Sequence, residues 1–348
     1  MSRKLTSLSV VATLVGGTAL ADVPSVAVDI APVHSLVARV MEGVGTPSLI
    51  LPPGASPHEY SLRPSEAKAL EDADIVVWMG EDLAPWMEDA VATLAGDAGV
   101  TTLLEADGTV LLDFREGALF EAHDHGDEHG HEEHAEDEDH GHDDHGHEEH
   151  AEDEHTEGKD HGDDHEDHAH DEHGHGHGAH DPHAWLSPSN AATWLNLIAA
   201  QLSSADPDNA GTYFANAAAG RAELEELTSE VSGILDPVRG GSFVVFHDAY
   251  QYFETDFGFA ASGAISLGDA TDPSPARIAE IQGRVQDEGV DCVLAEPQYN
   301  PGLVTTVLKG TEASTGVIDP LGVDLEPGAT LYPQLIRNMA TTLAECLG

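Results

Sequence analysis

The sequence predicts an α/β protein of two lobes. Each lobe is expected to be a mainly parallel sheet flanked by helices, with a long rigid helix joining the two and a ligand cleft between them. Three observations predict this. Short, near-continuous apolar runs alternate with amphipathic stretches, the pattern of parallel strands buried on both faces. These runs fall into two series on either side of one long helical pattern. The chain of 348 residues also has a length suited to two ordinary domains.

The elements follow in order. Residues 1–21 read as a signal peptide: Arg3 and Lys4 precede an apolar stretch, and Ala19-Leu20-Ala21 forms an A-x-A cleavage site. The N-terminal lobe is expected over 22–205. Its strands are the runs 23–30, 47–53, 73–80 and 100–104, and helical patterns lie over 64–73 and 83–95. Ser187-Pro188 marks a further helix start. Residues 206–238 are the linking helix, with Asp206 as cap, Pro207 near its start and Pro237 with Gly240-Gly241 ending it. The C-terminal lobe is expected over 239–348, with strands at 242–248, 263–267, 290–297 and 316–319. Between those strands Ile278, Ile281 and Val285 recur at helical spacing. The two cysteines, Cys292 and Cys346, form either one disulfide or a pair of buried thiols. They have no CxxC spacing and read as structural in both cases.

Into the first lobe is set a tract, 120–181, that is expected to be disordered. Residues 123–180 carry nineteen of the 23 histidines, interleaved with acids and glycine, and no apolar residue larger than alanine. Such a segment cannot bury a core. Its repeat HGHEEHAEDE, at 129–138 and 145–154, offers no apolar positions for stacking. The formal net charge of −52 repels nucleic acid and anionic membranes, so neither is expected as a partner. Imidazole beside carboxylate attracts transition metals.

Four histidines lie outside the tract. His58 sits in LPPGASPHEYSLRPSE past the second strand, His183 in DPHAWLSP at the tract's exit, and His247 ends a strand in FVVFHDAYQYF. Asp319 lies at a strand end in GVIDPLG. Open parallel sheets bind ligands at the carboxyl ends of their strands. His58, His183 and His247 are therefore candidates for one shared metal site in the cleft. His34 precedes a helix and is read as a non-ligand, and Trp78, Trp86 and the Tyr250–Phe253 group as core or cleft wall.

These strings also resemble a known family, the metal-binding solute receptors of bacterial ABC importers for zinc and manganese. PPGASPHEY, DPHAWLSP, FHDAYQYF, AEPQ and DPLG match its motifs in order, across nearly all of 22–348. The His-rich acidic insertion before DPHAW is similar to that of the zinc branch. The cysteine pair resembles a disulfide of some zinc receptors. The resemblance implies Zn²⁺ held by His58, His183 and His247. For the fourth position it implies Asp319, with Glu59 or a water as alternatives. Manganese relatives commonly carry a carboxylate where His247 stands, and three imidazoles favour zinc over the harder manganese ion. Glu296 ends a strand and is placed to orient a ligand.

The expected function is a periplasmic, monomeric receptor that captures Zn²⁺ and delivers it to a cognate inner-membrane ABC permease, without enzymatic activity. A manganese or broader divalent-metal receptor is the alternative within the family. A zinc-dependent hydrolase is the alternative outside it, but the chain has no HExxH and its ligands are dispersed. A storage protein in which the tract is the function is the third. The tract is read as an accessory with several weak, exchangeable sites.

Overall fold

A computed structural model describes residues 23–115, 180–266 and 273–348. The signal segment 1–21 and nearly all of the tract lie outside the described residues. Two four-stranded sheets form the frame, and every strand pair in them is parallel. The first has the order β2-β1-β3-β4, from β1 (Val26–Val28), β2 (Ser48–Leu49), β3 (Ile75–Trp78) and β4 (Gly99–Thr102). The second has the order β6-β5-β7-β8, from β5 (Phe243–His247), β6 (Gly263–Ser266), β7 (Cys292–Ala295) and β8 (Ser314–Val317).

The central strands are apolar, apart from His247 at the end of β5, because both their faces are covered. In β3, Ile75 and Val77 enter the large core while Val76 and Trp78 enter a second cluster beneath the sheet. In β5, Phe243 and Val245 join the large core, and Val244 and Phe246 a third cluster. The large core thus runs through both sheets.

The first sheet is flanked by α1 (Ala31–Val40), α2 (Pro64–Glu71) and α3 (Pro85–Leu94), and the second by α6 (Gln251–Phe257), α7 (Pro275–Asp287) and α8 (Pro301–Val307). Proline near the start of most of these helices supplies a fixed φ where the missing N–H costs nothing. The helices α4 (Pro188–Ala205), α5 (Ala210–Leu235) and the C-terminal α9 (Leu331–Leu347) pack on one another and contribute to the large core. Ser187 caps α4 by accepting from the Asn190 N–H. With 26 residues, α5 is about 39 Å long. It buries Tyr213, Ala217, Gly220, Leu224, Leu227, Val231 and Leu235 along one stripe. At Gly220 a Cβ would stand 3.0 Å from Leu195 Cδ1 on α4, so any larger residue would make that side chain give way. Short 3₁₀ turns at 207–209 and 236–238 bracket α5, so the linking segment expected over 206–238 is one helix with tightened ends.

Most strands are shorter than the apolar runs that contain them, β1 and β2 most of all, and the last strand is displaced. The last strand lies over 314–317 and not 316–319. It is an edge strand of sequence STGV, largely exposed, so pairing with β7 defines it and apolar patterning does not. The second strand keeps only two residues of the run 47–53. Cys292 and Cys346 form a disulfide that ties β7 to α9. Among the described residues no helix is long and apolar enough to cross a membrane.

Candidate metal centre

The carboxyl ends of the strands gather the three isolated histidines. His247 is the last residue of β5. His183 precedes a 3₁₀ turn, Ala184–Leu186, that leads into α4. His58 lies in the loop between β2 and α2, nine residues past the strand. Trp86, at the start of α3, holds that loop: its indole N–H donates to the Pro57 carbonyl at 2.6 Å, and its ring meets Tyr60 edge-on.

All three rings line one small cavity, together with Pro57, Trp185, Glu296 and Gln298. The ring centroids of His58 and His183 are 5.4 Å apart, and those of His183 and His247 5.3 Å. Two imidazoles on one tetrahedral zinc, at Zn–N distances of about 2.0–2.1 Å, would have centroids roughly 5.2 Å apart. The rings therefore stand at a spacing that fits zinc. Among the described residues, however, no three His, Cys, Asp or Glu side chains have drawn together into a finished coordination sphere. Rotation of the rings about their side-chain bonds brings the nitrogens together without moving the backbone.

Two of the rings are held by the same device. Asp181 Oδ1 lies 2.7 Å from His183 Nδ1 and also accepts the His183 backbone N–H at 2.9 Å. Glu296 Oε1 lies 2.6 Å from His247 Nδ1 and accepts the His247 N–H at 3.3 Å. A carboxylate can only accept, so Nδ1 carries the proton and Nε2 is the basic nitrogen. Asp181, His183, His247 and Glu296 are all buried. Tyr250 sits nearby, and burial first, then the charge of Glu296, pushes its phenol pKa well up.

Neither candidate fourth carboxylate enters the cavity. Glu59 is exposed. Asp319 lies two residues beyond β8 and is committed to its own turn. Its Oδ1 accepts from the N–H groups of Leu321 and Gly322 at 3.0 Å each, and its Oδ2 from Val323 at 2.6 Å. Gly322 has φ +74°, which the turn requires. His34 lies within α1, away from the cavity walls, with its ring against the Pro47 carbonyl at 3.1 Å; burial lowers its pKa.

The base of the inserted tract is clasped to the second sheet's side of the site. Asp181 N–H donates to the Leu112 carbonyl at 2.8 Å. The Tyr252 hydroxyl joins both strands of this neck, donating to the Asp181 carbonyl at 2.7 Å and accepting from Leu112 N–H at 3.0 Å. Arg115 pairs with Asp248, which follows His247, and with Glu254 on α6 at 2.6 Å. Burial pushes both carboxylates up in pKa, and the hydrogen bonds and charge of Arg115 oppose it. Sequence reasoning passed over Asp181, Arg115 and Gln298. Asp181 did carry a signal, an acid two residues before a histidine. The others are made by chain-distant contacts.

These features define a class, the two-lobed receptors that present imidazoles between parallel sheets. A crystal structure described as that of ZnuA matches with a TM-score of 0.68 at 20% identity, over 94% of this chain and 100% of that one. A manganese complex of the solute-binding protein FpvC from Pseudomonas aeruginosa matches with a TM-score of 0.69 at 18% identity, over 93% and 98%. At such identity the likeness speaks for the fold.

Sequence comparison goes further. The family model described as zinc-uptake complex component A, periplasmic, matches residues 26–346, and the chain belongs to that family. The chain is 43% identical to the high-affinity zinc uptake system protein ZnuA of Brucella abortus, over 92% of its own length and 91% of the relative's. It is 41% identical to the protein of the same name from Paracoccus denitrificans, over 97% of each.

Proposed function

We propose that this protein captures Zn²⁺ in the periplasm and delivers it to an inner-membrane ABC permease, holding the ion through His58, His183 and His247. The observation that carries the reading is the set of three imidazoles about one cavity, at 5.3 and 5.4 Å between neighbouring rings. The carboxylate behind His183 and the one behind His247 support it, because metal-binding histidines usually give their other ring N–H to such a partner. Three neutral nitrogen donors suit zinc better than manganese. The names of the relatives, zinc uptake proteins that match over nearly their whole length, point the same way. The protein is a carrier: the ion is its cargo, and no catalytic step is assigned.

In this reading residues 1–21 direct export and are removed. Residues 22–205 and 239–348 are the two lobes, and 206–238 is the rod between them. The tract at 120–181 supplies weak sites that raise the local zinc concentration, since His180 is three residues from His183.

The test is zinc titration by isothermal calorimetry on the chain lacking 123–178 and on the same chain carrying His247→Ala. One tight site is expected in the first and its loss in the second. Unchanged high affinity after His247→Ala would refute the proposal.

A further inference from the structure

The three-imidazole reading leaves the fourth coordination position open, and the side chain placed to serve it stands in the AEPQ motif, with no role of its own read from the sequence. Gln298 lies in the loop after β7 and is a wall of the same cavity as the three histidines. Chemistry fixes the orientation of its amide. The Asp319 carboxylate can only accept, so Gln298 Nε2 faces it, 3.4 Å from Oδ1. Oε1 is thereby turned away from Asp319. That oxygen is buried and meets no hydrogen-bond donor among the described residues. A buried acceptor without a donor is unfavourable, so a bound group that donates to it is favoured there.

The nearby carboxylates are engaged elsewhere. Asp319 holds its own turn with three backbone donors. Oxygens of Asp181 and Glu296 hold the imidazoles of His183 and His247. Glu59 is exposed and is not a cavity wall. The cavity is about 20 Å³, room for a small ion and about one water.

We propose that Gln298 Oε1 accepts a hydrogen bond from the water that completes the coordination of the captured ion, which makes Gln298 a positioning residue for capture. This rests on the three-imidazole reading. A metal-bound water is a strong donor, because the ion draws charge from its O–H bonds. A neutral amide oxygen accepts that hydrogen bond while adding no further charge to a cleft already rich in carboxylates.

The test uses the full chain loaded with one equivalent of metal, so that the tight site fills first. Zinc-edge X-ray absorption of the wild type should show three imidazoles and one oxygen. Gln298→Leu should weaken zinc about tenfold in competition with a chromophoric chelator. It should also alter the ligand-field absorption of the Co²⁺-loaded protein, which a purely structural role would leave unchanged. Three imidazoles together with an unaltered affinity and cobalt spectrum in Gln298→Leu would overturn the role of Gln298 alone. A zinc-loaded crystal structure with Asp319 or Glu59 on the ion would do the same. Fewer than three imidazoles in the wild type would instead overturn the reading beneath it.

Discussion

Truncating Glu296 separates the contribution of ring orientation from that of the ring itself. Its Oε1 takes two donors from one residue, the His247 ring nitrogen at 2.6 Å and the His247 backbone N–H at 3.3 Å. The carboxylate is buried, so water does not replace it readily. A hydrogen bond to a charged group contributes about 1.5–3 kcal/mol, and each 1.4 kcal/mol is about a factor of ten in affinity. Glu296→Ala should therefore weaken zinc about 10- to 100-fold, the range expected when the partner behind a metal-binding imidazole is lost. Glu296→Gln keeps an acceptor of the same shape and should cost less than about tenfold. Competition against a chromophoric chelator, in the chain lacking 123–178, measures both. Asp181→Ala makes the matching change behind His183. If Glu296→Ala binds zinc within about twofold of the wild type, or Glu296→Gln is as damaging as Glu296→Ala, the orientation argument fails.

Two further predictions concern stability. Arg115→Met strands two buried carboxylates, Asp248 and Glu254, and breaking a buried ion pair from one side costs about 3–5 kcal/mol. Calorimetric melting should show a fall in Tm of roughly 6–15 °C, and a fall under 2 °C would mean that solvent replaces the guanidinium. The other concerns Asp29 at the end of β1, whose pKa burial raises to about 7 against the opposing N–H donors of Met79 and Ile30. The folded state then holds a proton that the unfolded state releases near pH 4. The contribution of Asp29 to stability is most favourable below that pH and declines as pH rises to about 7, by a total on the order of 4 kcal/mol. Urea unfolding of wild type and Asp29→Asn between pH 4 and 8 should show their stabilities diverging with that sign across the window, and parallel curves would rule it out.

What the sequence disclosed depended on how local the determining interactions are. The inner strands were legible because burial on both faces writes them as unbroken apolar runs, as in Ile75–Trp78. The edge strand Ser314–Val317 was displaced by two residues because its identity comes from pairing with Cys292–Ala295, which leaves no mark on its own composition. The three histidines stood out since each lies in its own motif at a strand or loop edge. Of their supporting shell only Glu296, at a strand end in AEPQ, was legible, and it reaches His247 across 49 residues of chain; Arg115, which reaches Asp248 across 133, left no such mark. Asp319 shows the opposite case. A carboxylate near a strand end looks like a ligand, yet in DPLG the backbone N–H groups two to four residues on are its nearest donors, and the positive φ of Gly322 lets the chain fold back onto it. That local competition was present in the sequence and points toward a turn. Once Asp319 is occupied in this way, the amide of Gln298 is forced to aim its oxygen elsewhere. Asp319, at a position where the resembled family places a ligand, thus also orients Gln298 from within its own turn.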